Sequence, residues 1–282
     1  MSRNFADRSE TEDRNKILHW LAPPDPRPPI TGAREPGTNE WFLQGEIFRD
    51  WLAGVTPYVV LQGPVGCGKT ILLKSIAEAC RKRLEAEGDP GTAVPEILPS
   101  RIITFFFSST TNARFGLNDL LRYLVAQLSL RSIPRALLEL YRRSTESFPP
   151  ERFNDNEKLI DVLISVLDGL KSSQIRSATE VFVMLDGVDE ISPLSQCRQI
   201  TSFLNRIAAL DKCNLRILIT TRPLELTDPW RSLWSQHTIP AYRVAEDIET
   251  YVRRVVLQDL SHIAVESQAK IIAKLAGPTQ TM

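Results

Sequence analysis

Apolar residues along this chain fall into two alternating patterns, short continuous runs and longer stretches with helical spacing. The runs are YVVLQ at 58–62, RIITFFF at 101–107, VFVMLD at 181–186 and LRILIT at 215–220, with HTIPA at 237–241 a weaker fifth. Between them the spacing predicts helices near 69–87, 117–131, 135–146, 157–170 and 194–210. Runs that are apolar at every position, not every second one, belong to strands buried on both faces. That is the condition inside a mainly parallel sheet covered by helices on each side. Upstream, DRNKILHWL predicts a short amphipathic helix, which the prolines between Ala22 and Pro29 stop and turn into an extended connector. NEWFLQGEIFRDWL resumes helical spacing, with Trp41, Phe42, Phe48, Trp51 and Leu52 on one side. Past Val244 the pattern is helical again until Gly277-Pro278 ends it.

Several boundaries carry chemical marks. Asn154 and Glu157 have the spacing of a capping box. Pro134 and Pro193 suit first helical turns. The Gly and Pro content of 87–100 predicts a loop. No internal repeat is visible.

The first definite chemistry follows the first run. Gly63-Pro64-Val65-Gly66-Cys67-Gly68-Lys69-Thr70 fits G-x-x-x-x-G-K-[ST] between a predicted strand and a predicted helix. Glycines let the backbone take positive φ and come close to a bulky anion, and the upturned N–H groups form an anion nest. The helix opening near Lys69 adds its positive dipole end, and the Lys69 ammonium would reach the β- and γ-phosphates. The Thr70 hydroxyl would ligate Mg²⁺. A Gly-rich turn of no function gives this pattern by accident, in a chain of this length, with odds on the order of one in a hundred. Cys67 reads as a small residue that the tight turn tolerates; an electropositive neighbourhood would lower its thiol pKa.

An acidic counterpart stands at the end of a later strand. VFVMLD runs straight into Asp186, then Gly187, Asp189 and Glu190. The carboxyl ends of strands are where open α/β sheets bind ligands, so Asp186 is the expected Mg²⁺ partner, through a water. Asp189 or Glu190 would polarise an attacking water. LRILITTRP ends in Thr220, Thr221 and Arg222, and a forked guanidinium there can read a γ-phosphate. For each group the bland alternative is an acidic turn or a surface arginine.

Composition narrows the class. With 43% apolar residues the chain can build a core, and 34 basic against 34 acidic residues give no excess to attract nucleic acid. The cysteines Cys67, Cys80, Cys197 and Cys213 lie far apart with no CxxC pair, as reduced thiols rather than a disulfide or metal scaffold. The mixed-charge start resembles no signal peptide, and no stretch is apolar for the roughly 18–20 residues a membrane helix needs. Cytoplasmic location and no membrane partner are the expectations.

Taken together, GPVGCGKT, FFFSSTTNARFGLNDLLRYLVAQL, VFVMLDGVDE and LRILITTRP resemble the NACHT nucleotide-binding module of fungal NOD-like receptor proteins, a STAND-class P-loop NTPase. ILHWLAPPDP and GTNEWFLQGEIFRDWL resemble the segment ahead of the phosphate loop in that group, so the likeness runs from about Arg14 to about Val256. It implies an α/β three-layer P-loop sandwich with short helical extensions, in three parts. These are a helix and Pro-rich connector at 1–36, the nucleotide-binding core at 37–243 and the start of a helical region at 244–282. It further implies a signalling switch, of the kind used in innate immunity, that binds ATP or GTP with Mg²⁺, hydrolyses slowly and assembles into homo-oligomers or with other signalling proteins. Carried over, Gly63, Gly68, Lys69 and Thr70 bind phosphate and metal, Asp186 holds Mg²⁺, Asp189 and Glu190 serve hydrolysis, and Arg222 senses the γ-phosphate. Gly37 to Phe42 is similar to the part that packs near the base, with an ordinary core role for Trp41 and Phe42 the equal alternative. No effector domain is expected ahead of Arg14 and no winged-helix segment after KLAGPTQTM, which leaves a stand-alone module, a shortened isoform and an incomplete product as open expectations. A binding-only scaffold and a P-loop small-molecule kinase are the competing readings, and the kinase lacks a visible basic lid.

Overall fold

The computed structural model describes residues 13–26, 34–87, 101–107, 115–130, 133–145, 153–171, 180–210, 214–223, 230 and 232–276. The expected loop at 87–100, apart from its first residue, and Cys213 lie outside them. So do the end of the Pro-rich connector and the Gly277-Pro278 stop.

Five strands form one parallel sheet: β1 (Tyr58–Gln62), β2 (Ile102–Phe106), β3 (Glu180–Asp186), β4 (Asn214–Thr221) and β5 (Ser235–Thr238), in the order β2-β3-β4-β1-β5. Alternation along each strand explains why the runs are apolar throughout. Val60, Phe105, Val183 and Ile219 point into one buried cluster, while Val59, Phe106, Met184 and Leu218 point into the other. The first face is covered by α1 (residues 13–21), α5 (Leu117–Leu128), α6 (Arg135–Thr145), α7 (Asn156–Lys171) and α8 (Leu194–Ala208). The second is covered by α2 (Glu40–Leu43), α3 (Glu46–Ala53) and α4 (Lys69–Glu87). The result is the three-layer α/β sandwich that the sequence predicts. A helical hairpin, α9 (Ala241–Asp259) and α10 (Val265–Ala276), follows β5. No helix among the described residues is long and apolar enough to cross a membrane.

The details correct several local expectations. The helical stretch at 39–52 is two helices, because the chain turns at Gln44 and Gly45; Phe42, Phe48 and Trp51 still share one buried cluster. Helix α7 is capped by Asp155, not Asn154: Asp155 Oδ1 accepts the Lys158 N–H at 3.1 Å, and the Lys158 ammonium lies 3.2 Å from the same carboxylate. The N3 position therefore falls on Lys158 and the capping box with Glu157 does not form. Pro134 and Pro193 precede the first helical residue instead of occupying it, each offering its carbonyl to the first turn. Strand β5 begins two residues before HTIPA, and α9 begins at Ala241, three residues ahead of the expected start of the C-terminal region.

Helix α1 is tied to the first face by polar contacts as well as by Ile17 and Leu21. The buried Arg122 of α5 donates to the carbonyls of Leu21 and Ala22 at 3.3 and 3.0 Å and pairs with Asp119 at 2.5 Å. A charge so placed must be bonded on several sides to offset its lost hydration.

Candidate functional site

The loop between β1 and α4 turns back on itself at the carboxyl edge of the sheet. Gly66 and Gly68 have φ of 76° and 81°, a region that side chains disfavour. Gly63 is required for another reason: a Cβ there would lie 2.5 Å from Cys67 Sγ and 3.2 Å from Ile239 Cδ1. Val65 is 71% exposed, so the loop tip faces solvent. The Lys69 ammonium arches over the loop, donating to the carbonyls of Gly63 and Pro64 at 2.8 and 2.7 Å. It also lies 4.0 Å from Cys67 Sγ. Burial nevertheless pushes the Cys67 thiol above its ordinary range, against the pull of Lys69. The expectation of a lowered thiol pKa is thus overturned, because desolvation of the tucked-in sulfur outweighs one nearby cation. Cys80 and Cys197 are also raised by burial, Cys80 to about 12.

Asp186 ends β3 opposite this loop. Its Oδ2 accepts the Thr70 hydroxyl at 2.6 Å, and its Oδ1 accepts the hydroxyl of Thr220 at the end of β4. The side chain is buried, and that burial holds its carboxyl above the usual aspartate range. The two hydroxyl bonds and Lys69 pull it back, while Glu190 adds to the rise. Thr70 and Asp186, expected from the sequence to share a metal, are therefore in contact. Among the described residues no group of three or more His, Cys, Asp or Glu could hold a metal. A hydroxyl beside a single carboxylate is the sparse protein set that suits Mg²⁺, whose remaining ligands come from water and phosphate. The donor set fits that ion.

Gly187 begins a 3₁₀ turn, Val188–Glu190, that presents the second acidic pair. Asp189 is committed to Arg222 at two points: Oδ1 accepts the Arg222 backbone N–H at 2.9 Å and Oδ2 lies 2.9 Å from its Nε. Glu190 Oε1 is 3.7 Å from Arg222 Nη2. The Asp189 side chain is 7% exposed and that of Glu190 29%, so Glu190 is the carboxylate more open to water. The sequence treats the two as interchangeable; the geometry gives Asp189 the task of holding Arg222.

Beside the loop lies a cavity of about 290 Å³, near the lower end of the roughly 300–1,000 Å³ usual for ligand pockets. Its walls include Trp41, Gly66, Gly68, Ile239, Asp247 and Tyr251. Asp247 of α9 closes one side. Its carboxylate accepts the Asn39 N–H at 3.1 Å and the Trp41 Nε1–H at 3.0 Å. Asn39 in turn donates from Nδ2 to Ser75 Oγ of α4 at 2.9 Å, from a left-handed backbone with φ of 60°. Burial raises the Asp247 carboxyl above its ordinary range, partly offset by the Trp41 and Asn39 bonds. The resemblance of GTNEWF led toward this region, but Asp247 and Tyr251 had no sequence signal. Larger hollows, about 590 Å³ along α9 and about 480 Å³ between α6 and α7, are lined mostly by charged and polar side chains and touch no loop residue.

Compared with known families, residues 37–222 match the family described as Nephrocystin 3, N-terminal. The match opens at the left-handed Gly37 and closes on Arg222, so β5 and the α9–α10 hairpin lie beyond it. No curated protein matches the chain.

Proposed function

The chain belongs to the nephrocystin 3, N-terminal family, and on that footing we propose that it is a Mg²⁺-dependent ATP- or GTP-binding switch of NACHT type. It hydrolyses slowly and uses the bound nucleotide to control association with its own copies or with other signalling proteins in the cytoplasm. The observation that carries this reading is the 2.6 Å contact between Thr70 on the phosphate loop and Asp186 on β3. The two residues expected to share a metal meet at the end of a loop whose Gly66, Cys67 and Gly68 also line a cavity that suits a base.

In this reading the backbone N–H groups of the loop and the start of α4 receive the phosphate oxygens. Lys69 exchanges its bonds to two loop carbonyls for phosphate oxygens. Thr70 and Asp186 would hold Mg²⁺, which when bound neutralises phosphate charge and aligns the terminal group. Glu190 orients the attacking water, and Arg222, anchored by Asp189, faces the developing charge. The base enters the cavity walled by Trp41, Ile239 and Tyr251. Kinship to fungal NOD-like receptors is a finer part of the same proposal.

The test is thermal denaturation with millimolar ATP or GTP and Mg²⁺. Ligand at a thousand times its dissociation constant stabilises the native state by about 4 kcal/mol, and Lys69→Ala should abolish the shift. An unmoved melting temperature with both nucleotides would sink the proposal. One observation favours a second reading, a scaffold that binds without turnover: Asp189 has both oxygens engaged by Arg222. Tight binding with no product in a single-turnover assay would select it.

A further inference from the structure

We propose that Thr220 is a positioning residue for the Mg²⁺ arm of the site: its hydroxyl pins one oxygen of Asp186 and leaves the other directed at Thr70. The inference rests on the proposed Mg²⁺–nucleotide reading and extends it to a residue that motif spacing leaves without a role.

Topology brings Thr220 to this place. β4 stands between β1, which leads into the phosphate loop, and β3, which ends on Asp186. Parallel register sets Thr220 beside Asp186 on one side and beside Leu61 on the other. The Gly187 N–H also bonds the Thr220 carbonyl at 3.1 Å, which fixes the backbones of the two strand ends together. Strand alternation then separates the two threonines. Thr220 lies on the Leu218 side, with the cluster that packs against α4; Thr221 lies on the Ile219 side. Their hydroxyls accordingly differ: Thr220 donates to Asp186 Oδ1, whereas Thr221 donates to the Arg222 carbonyl at 3.0 Å. Both side chains are fully buried.

A carboxylate turns readily about its last side-chain bond, which has broad wells instead of sharp rotamers. A donor held rigidly on one oxygen removes that freedom. Thr70 would be shared with the cation, so its bond to Asp186 is the exchangeable one. Thr220, enclosed by neighbouring strands and with no access to solvent, keeps its bond. Such supporting hydrogen bonds commonly matter to metal affinity by 10–100-fold.

The experiment uses the full chain and follows melting temperature while MgCl₂ is titrated at fixed ATP or GTP, with an EDTA arm that reads nucleotide binding without metal. Thr220→Val should raise the Mg²⁺ midpoint roughly 10–100-fold and leave the EDTA arm unchanged. Thr220→Ser, which keeps the hydroxyl, should stay within a few-fold of the wild type, and Thr221→Val should match it. In an Asp186→Asn background Thr220→Val should add nothing. If the valine variant does not fold, Thr220→Ser against Thr220→Ala carries the same comparison. A wild-type midpoint in Thr220→Val, or an equal loss in Thr221→Val, overturns the inference while nucleotide binding stands. A wild-type protein with no nucleotide response overturns the functional reading and this inference with it.

Discussion

Strands β3 and β4 carry ionisable side chains at both ends of the pair, and the two ends treat them in opposite ways. At the amino ends, Glu180 is ringed by guanidiniums: Arg216 at 3.1 Å, Arg83 at 3.6 Å and Arg101 at 3.8 Å. Arg216 also lies over the Phe182 ring, 5.5 Å from its centroid, and Phe182 packs on Trp51. Even Gly54 is fitted to it, since a Cβ there would come within 2.9 Å of Arg216. At the carboxyl ends, Asp186 receives two hydroxyls, and Arg222 is drawn away to Asp189. A half-buried carboxylate surrounded by cations is a structural tie. Asp186 is hydrogen-bonded by two neutral hydroxyls instead, and its burial raises the carboxyl above the usual aspartate range.

Removing each carboxylate in turn is the sharpest way to break this contrast. Glu180→Ala should destabilise the protein by about 3–5 kcal/mol in urea unfolding, because it withdraws the anion from the buried Arg216 guanidinium and from two partly buried ones. A loss below about 1 kcal/mol would show the lower end to be no tie at all. Asp186→Asn should melt no earlier than the wild type, since burial already disfavours the ionised form. It should lose the Mg²⁺-dependent part of the nucleotide stabilisation, the whole of which is about 4 kcal/mol at a thousand times the dissociation constant. A large drop in intrinsic stability would erase the distinction between the two ends.

Two smaller tests sharpen the picture around the site. Asp247→Ala leaves the Asn39 N–H and Trp41 Nε1–H without their acceptor, at a cost of about 1–3 kcal/mol. Amide exchange in α9 should quicken accordingly. Arg222→Ala should change intrinsic stability by less than about 1 kcal/mol, because its side chain is 45% exposed, while lowering single-turnover hydrolysis.

The smallest effect is in pH. Burial holds the Asp247 carboxyl above the ordinary aspartate value of 3.8. In the window above that value the folded protein keeps a proton that the unfolded chain has released, so stability falls as pH rises through it. Asp247→Asn should flatten that stretch of the stability–pH curve, and an unchanged slope would refute the assignment.

Features that rest on local periodicity were legible in the sequence. β1 is bounded as its run predicts, β3 begins one residue earlier than its run and β4 is longer than its run by one residue at each end, because burial on both faces leaves an unbroken apolar signal. The turn between β1 and α4 was legible because its glycines take the positive φ that their positions suggest. What stayed hidden depends on elements far apart in the chain. Asp247 meets Trp41 and Asn39 across 206 and 208 positions, and nothing local marks it. Thr220 acquires its partner only through the placement of β4 between β1 and β3. The shift of the α7 cap from Asn154 to Asp155 is a competition between adjacent side chains that both cap well.

The attachment of α9 has a mechanical corollary. Its root is clamped to the sheet, with the Ile239 N–H bonded to the Gln62 carbonyl at 2.7 Å and Pro240 capping the helix. Asp247 sits about 10 Å along the axis from that root, and Asp259 about 28 Å, at roughly 1.5 Å per residue. If the helix tilts rigidly about its root, a 1 Å adjustment of the cavity wall becomes a swing of about 3 Å where α9 hands over to α10. A small displacement at the cavity wall would thus be magnified at the outer rim, within reach of a neighbour.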